Sequence, residues 1–123
     1  MAMDLPKLRK LLSLDPADPL SRFALGRKLF ETGELEEAVE HLRFANAADP
    51  NHLATYHILS QALIQLGKTD EARRVLEAGI PKVMSVGEGM GRDLGPAMQS
   101  LLAQINSNDE TLSSTKIRMT KLE

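Results

Sequence analysis

The chain has 123 residues, of which 42% are hydrophobic and 26% charged, and it contains no cysteine. This length and composition predict one globular domain with a core of its own, and they exclude a disulfide scaffold and any cysteine-based catalytic or metal site. The net charge of −2 provides no broad basic surface, and no apolar run approaches the ~20 residues of a membrane span, so we expect a cytoplasmic protein that binds neither nucleic acid nor membrane.

Helical periodicity and turn residues define the first half of the chain. A short helix is predicted over residues 4–13, with leucines every three or four residues. Asp18 is placed to cap a second helix that opens with Pro19, since proline needs no N–H donor in the first turn. Gly33 ends that helix, and a third one is predicted over about residues 35–48.

The second half begins in the same way and then changes. Helices are predicted over about residues 52–66 and from Asp70 onward, separated by Gly67. Gly79 and Pro81 predict a kink or an early stop near Ile80. A glycine-rich connection over residues 87–91 then leads to a last helix at 96–106. Residues 107–123 form a predicted mobile polar tail, and the sequence leaves open whether that tail is native or a cloning remnant.

A repeat of 34 residues organises these helices. Leucines, a glycine, an acidic residue and an alanine recur at this shift, in an order that describes two helices around a tight turn. The matching pairs are Leu25 with Leu59, Leu29 with Leu63, Gly33 with Gly67, Glu37 with Glu71, Ala38 with Ala72, and Leu42 with Leu76.

With these residues in this spacing, the chain resembles the tetratricopeptide repeat (TPR) family. The resemblance covers about residues 19–84 and implies an all-α solenoid of helical hairpins. Two full repeats (about 19–52 and 53–86) are expected between capping helices at about 4–13 and 96–106, within a domain of residues 1–106. The sequence departs from the family pattern at four positions, namely Arg22, Ser60, Gly79 and Met84.

The resemblance also implies a function, since repeats of this family bind peptides or partner helices in a concave groove lined by the first helix of each repeat. We therefore predict a non-catalytic protein-binding module of unidentified partner. An alternative is a structural homodimer formed through the same apolar face. We call the following set the predicted groove: Leu20, Phe23, Arg27, Phe30, His57, Gln61 and Ile64. The carboxylate clamp of some family members is not predicted, because Phe23, Arg27 and Ile58 stand at its positions.

Other chemistry finds little support in the sequence. His52 and His57 are five residues apart, which does not place them on one helical face as metal ligands, and His41 is predicted to be a solvated surface residue. The glycines at 87–91 resemble a phosphate-binding loop, which gives a third hypothesis, an enzyme or nucleotide-binding domain. The missing features of such a loop, a preceding strand and a following Gly-Lys-Ser/Thr, count against this hypothesis. No catalytic residue, metal or cofactor is predicted.

Overall fold

The computed structural model describes residues 4–86 and 93–107, and within these ranges it contains six α-helices and no strand. The all-α helical-hairpin class predicted from the sequence is confirmed. The predicted glycine-rich connection (87–91) and the predicted tail beyond residue 107 lie outside the described residues. The helices are α1 (Leu5–Leu14), α2 (Pro19–Glu31), α3 (Leu35–Ala48), α4 (Leu53–Gln65), α5 (Thr69–Val86) and α6 (93–107).

The helix ends are fixed by short-range hydrogen bonds. The Asp18 carboxylate accepts from the backbone N–H groups of Leu20 and Ser21, so it caps α2 as predicted. At the other end of α2, Gly33 has φ +87° and donates to the Phe30 carbonyl. Because only glycine adopts this left-handed conformation at little cost, the position explains why the hairpin turns here.

The last hairpin helix differs from its prediction. Of the two alternatives predicted near Ile80, a kink or an early stop, the stop is wrong, since α5 continues through Pro81 to Val86. A proline inside a helix costs about 3 kcal/mol because it removes one backbone hydrogen bond and crowds the preceding turn. Tertiary packing on both sides of Pro81 offsets this cost, because Leu76, Gly79 and Val83 are all buried.

The helices stack in two layers. The first layer contains α2, α4 and α6. Helix α2 contacts α4. Helices α4 and α6 both approach the same face of α5, where Tyr56 and Met98 lie close to Gly79. The second layer contains α1, α3 and α5, which are linked by ion pairs from Arg9 to Glu37 and from Arg43 to Glu71. One continuous core lies between the layers. Its fully buried large side chains include Leu25, Leu29, Leu42, Leu63, Leu76 and Met98.

The flanking helices α1 and α6 close the two ends of the core. Leu8 of α1 lies 34 residues before Leu42 and is buried in the same cluster, so α1 packs as the second helix of an incomplete repeat. At the other end, α6 runs antiparallel to α5, with Met98 beside Gly79 and the Asn106 side chain bonded to Arg73. Stacked repeats need such terminal helices, because each hairpin leaves an apolar face uncovered.

Candidate functional site

The predicted groove lies on the surface of the first layer. Along α2, Leu20, Phe23, Arg27 and Phe30 succeed one another at three- and four-residue intervals, which places them on one face. His57, Gln61 and Ile64 do the same on α4. Since α2 and α4 are in contact, the two rows of side chains lie side by side.

The apolar members of the groove are less exposed than the sequence suggested. Leu20 is 58% exposed, but Phe23, Phe30 and Ile64 are half-buried and pack against the core. The ring of Phe23 meets the ring of His52 edge-on, with 4.5 Å between the ring centroids. The two phenylalanines, expected to be solvent-facing anchors, therefore also hold α2 in place.

Polar groups lie between the apolar ones. Arg27 is exposed and pairs with Glu31 one turn further on, at 3.3 Å between Nε and Oε1. His57 and Gln61 are half-buried on α4. Burial lowers the pKa of His57 below its usual 6.5, so its imidazole is neutral at physiological pH. The groove thus offers neutral donors and acceptors, with an arginine already paired to a glutamate.

The structure adds α6, which was predicted only as a cap, to this surface. Leu94, Gly95 and Met98 repeat the order of Leu25, Gly26 and Leu29, with one inserted residue relative to two 34-residue steps. Gly95 and Met98 are buried, as their counterparts are. At the positions of α6 that correspond to Arg27, Phe30 and Glu31 of α2, the chain has the exposed residues Pro96, Gln99 and Ser100.

The second layer carries two grooves that the sequence analysis missed. The first lies between α1 and α3 with Leu25 at its floor, and the second lies between α3 and α5 with Leu59 at its floor. Eight residues lining the second groove stand 34 positions after residues lining the first. The signal was present in the sequence, because Arg9 and Glu37 recur at Arg43 and Glu71 by the same shift.

The first of these grooves carries polar side chains around an apolar floor. Arg9 donates two hydrogen bonds to Glu37, at 2.6 and 3.0 Å, and this contact lowers the pKa of the Glu37 carboxyl to about 2. His41 lies between Glu37 and Arg22, at 3.3 Å from each, with only 12% of its side chain exposed. The prediction that His41 is a solvated surface residue is therefore wrong, because Arg22 of α2 and Glu37 of α3 enclose its ring.

Arg22 also explains how the chain tolerates a departure from the family pattern. Its Nε donates to the carbonyl oxygen of Pro16 at 2.9 Å. One repeat later, the Tyr56 hydroxyl donates to the carbonyl oxygen of Pro50 at 2.6 Å. The two side chains therefore make the same connection from the first helix of a repeat to the preceding turn.

The second of these grooves is apolar at its base. Arg43 and Glu71 form a bidentate pair at its edge, which lowers the pKa of Glu71. The cavity has a volume of about 290 Å³. Its other lining residues are Asn46, Ala47, Tyr56, Leu59, Arg74, Val75 and Ala78.

The described parts of the chain hold neither a cluster of metal ligands nor a membrane-spanning helix. Residues 4–86 and 93–107 contain no group of three or more histidines or carboxylates placed to hold a metal ion. No helix in these ranges is long and apolar enough to cross a membrane.

The two layers of helical hairpins, the glycine turns and the 34-residue register define a helical-hairpin repeat protein. A family model described as anaphase-promoting complex, cyclosome, subunit 3, matches residues 7–79. The TPR repeat-containing protein PA0015 of Pseudomonas aeruginosa is 31% identical over 81 residues, which cover 66% of this chain and 77% of that protein. The chain therefore belongs to the tetratricopeptide repeat family.

Solved structures share this fold along most of their length. A solution structure of a Bordetella parapertussis protein is 26% identical, with a TM-score of 0.70, and the match covers 89% of this chain and 92% of that one. The TPR2B domain of yeast Sti1, solved as a complex with pHsp70, is 18% identical with a TM-score of 0.73, covering 85% and 81% of the two chains.

Proposed function

We propose that the chain is a non-catalytic protein-binding module that holds a short peptide or partner helix in the predicted groove. Apolar contact would come from Leu20, Phe23, Phe30 and Ile64, and polar specificity from Arg27, His57 and Gln61. The similarity to the yeast domain, which was solved as a complex with pHsp70, supports this class of function.

One observation carries the proposal. Leu20 exposes 58% of its surface at the start of a row in which the next apolar side chains, Phe23 and Phe30, are each only half covered. Exposed apolar surface beside polar side chains such as Gln61 is typical of a contact site, because the apolar part supplies affinity and the polar part fixes orientation. The neutral His57 and the paired Arg27 give this surface no strong charge, so the expected occupant is an uncharged or weakly charged segment.

Leu20→Glu tests the proposal with little risk to folding, since the side chain lies mostly in solvent. Twelve-residue peptides would be selected from a displayed random library on the wild-type protein and titrated calorimetrically. We expect Leu20→Glu to weaken their binding about tenfold or more, as loss of a central apolar contact does. Leu14→Glu is the matched control, because Leu14 is 75% exposed and lies on α1, a helix of the second layer.

The outcomes separate the proposal from its alternatives. The site would lie elsewhere if the wild type and Leu20→Glu bound the selected peptides equally. The same conclusion would follow if Leu20→Glu and Leu14→Glu lost peptide binding to the same extent. The homodimer alternative predicts a mass that rises with concentration in light scattering and falls to that of a monomer in Leu20→Glu. Phe23 is a poorer test position, because its contact with His52 makes any substitution a change in stability as well.

A further inference from the structure

A single guanidinium joins the turn between α1 and α2 to the third helix. Nε of Arg22 donates to the carbonyl oxygen of Pro16 at 2.9 Å, and its Nη1 lies 3.3 Å from Nδ1 of His41. The Phe44 ring covers the same guanidinium, with 4.1 Å from Cζ to the ring centroid. We call these contacts the Arg22 bridge. Because both hydrogen bonds come from one rigid planar group, Arg22 cannot move away from His41 without also disturbing its bond to the turn.

The chemistry of the bridge fixes the protonation state of the imidazole. A guanidinium has N–H donors and no acceptor, so Nδ1 of His41 must accept the hydrogen bond from Arg22 and therefore carries no proton. The ring proton then lies on Nε2, which donates to Oε2 of Glu37 at 3.3 Å. Protonation of His41 would place a second N–H group and a second positive charge against Arg22, whereas the bond to Glu37 would remain.

The charged groups around the ring lie in one groove, which is lined by residues of α1, α2, α3 and the α1–α2 turn. Arg22 of α2 repels a positive charge on the ring, and the carboxylate of Glu37 attracts it. Arg9 of α1 is bonded to Glu37, and Glu40 of α3 lines the same groove. Because Arg9 holds the pKa of the Glu37 carboxyl at about 2, Glu37 stays ionised over the range of about pH 5–8 in which histidine changes charge. The contact that protonation breaks is therefore the one with Arg22.

The next repeat holds its turn in a way that does not depend on an imidazole. The Tyr56 hydroxyl donates to a carbonyl oxygen of the preceding turn at 2.6 Å, and Val75 stands 34 positions after His41. This turn does contain a histidine, His52, whose Nδ1 lies 2.7 Å from the hydroxyl oxygen of Thr55. A hydroxyl group can donate or accept, so that contact survives protonation of the ring. The two turns should therefore respond differently to acid.

We propose that the Arg22 bridge is a pH-sensitive switch, which holds the α1–α2 turn while His41 is neutral and releases it when His41 takes up a proton. The bridge is present at high pH and is lost as the pH falls, since only the neutral ring accepts a hydrogen bond from Arg22. Its release frees the carbonyl group of Pro16 and loosens the turn over residues 15–18. The switch lies in the second layer and does not depend on what the predicted groove binds.

The test follows NMR signals of the full chain as the pH is lowered from about 8 to about 5. The ring nitrogens of His41 report its tautomer and its charge. The carbonyl carbon of Pro16 reports the hydrogen bond from Arg22, and the carbonyl carbon of Pro50 is the matched control in the next repeat. We expect a proton on Nε2 and none on Nδ1 at the upper end of the range. On acidification, the Pro16 signal should shift upfield with the same midpoint as the His41 ring, while the Pro50 signal stays unchanged.

Three variants separate the switch from other titrations. His41→Asn places an amide oxygen near the position of Nδ1, where it accepts a hydrogen bond but takes up no proton. Arg22→Met keeps a long side chain beside Phe44 and removes the donor. The pH-dependent shift of Pro16 should be absent from both variants. It should persist in Glu40→Gln, the matched control, which removes an exposed carboxyl group from the same groove.

The Asp18 carboxyl at the end of the turn does not explain a shift in this range. The hydrogen bond from the Ser21 hydroxyl lowers its pKa below the ordinary 3.8, so Asp18 stays ionised at pH 5 and above.

Any of four results would overturn the proposal. The first is a proton on Nδ1 of the neutral His41 ring, and the second is titration of that ring without a shift at Pro16. The third is a Pro16 shift that persists in His41→Asn. The fourth is a shift of the same size at Pro50, which would show that acid loosens both turns. The first two are measured on the wild-type protein, so they decide the proposal even if a variant fails to fold.

Discussion

Gly79→Ala is predicted to destabilise the protein, although it restores the alanine found at the equivalent Ala45. A methyl group built on Gly79 would lie 2.7 and 2.8 Å from Cγ and Cβ of Tyr56, and 2.8 Å from Cε of Met98. Ordinary contact between carbon atoms is about 3.5–4.0 Å. The Tyr56 atoms are the stem of a ring whose hydroxyl is held by Pro50, so the ring cannot swing aside freely.

The magnitude follows from two opposing effects. Alanine is about 1 kcal/mol more favourable than glycine in a helix interior. Overpacking a filled core costs about 1–3 kcal/mol. Taking the middle of that range, we expect Gly79→Ala to reduce the free energy of unfolding by about 1 kcal/mol, which lowers Tm by roughly 4 °C.

Gly95→Ala is the matched control for this effect. Its added methyl group would meet Sδ of Met84 at 2.9 Å, which is the flexible end of a half-exposed side chain, and Cγ1 of Val83 at 3.7 Å. Because Met84 can move, the gain in helix propensity should leave this variant as stable as the wild type or more so. Urea denaturation gives the free energy of unfolding of the wild type, Gly79→Ala and Gly95→Ala for comparison. A Gly79→Ala protein at least as stable as Gly95→Ala would refute the reasoning.

Two further predictions concern charge and backbone conformation. The pKa of Glu37 is lowered to about 2 from its ordinary 4.5, so the stabilisation from Arg9 is present above pH 4.5 and is lost as the pH falls toward 2. Both side chains are partly exposed, so screening by solvent keeps this contribution small. Arg9→Gln should therefore lose less stability than the wild type between pH 7 and pH 3 in urea denaturation, and identical losses would contradict the assignment. Gly33→Ala should cost about 1 kcal/mol, because φ is +87° there while the surrounding space is open; an unchanged Tm would show that the turn relaxes.

The predicted groove shows how far the sequence can place a site. Spacing alone put Leu20, Phe23 and Arg27 on one face of α2, since helical periodicity is a local property. It could not give their exposure, because that depends on which side chains of other helices come close. The edge-on contact of Phe23 with His52 joins residues 29 positions apart, and no periodicity predicts it.

The second-layer grooves were missed for a related reason. Their equivalence depends on ion pairs that link residues 28 positions apart, from Arg9 to Glu37 and from Arg43 to Glu71. The 34-residue shift contains this information, but only stacked helices show that the members of each pair meet. His41 is the clearest case, since it reads as a surface residue until Arg22 of another helix is placed against it.

The sequence by itself determined the repeat, the helix boundaries near Asp18, Gly33 and Gly67, and the family. These features depend on local physics, namely capping hydrogen bonds, left-handed glycine turns and the spacing of apolar residues. Only the tertiary structure decided that α5 passes through Pro81 and that His41 lies mostly buried between Glu37 and Arg22. Both results depend on packing between helices, which outweighs a local preference in the first case and covers a side chain that the sequence places at the surface in the second.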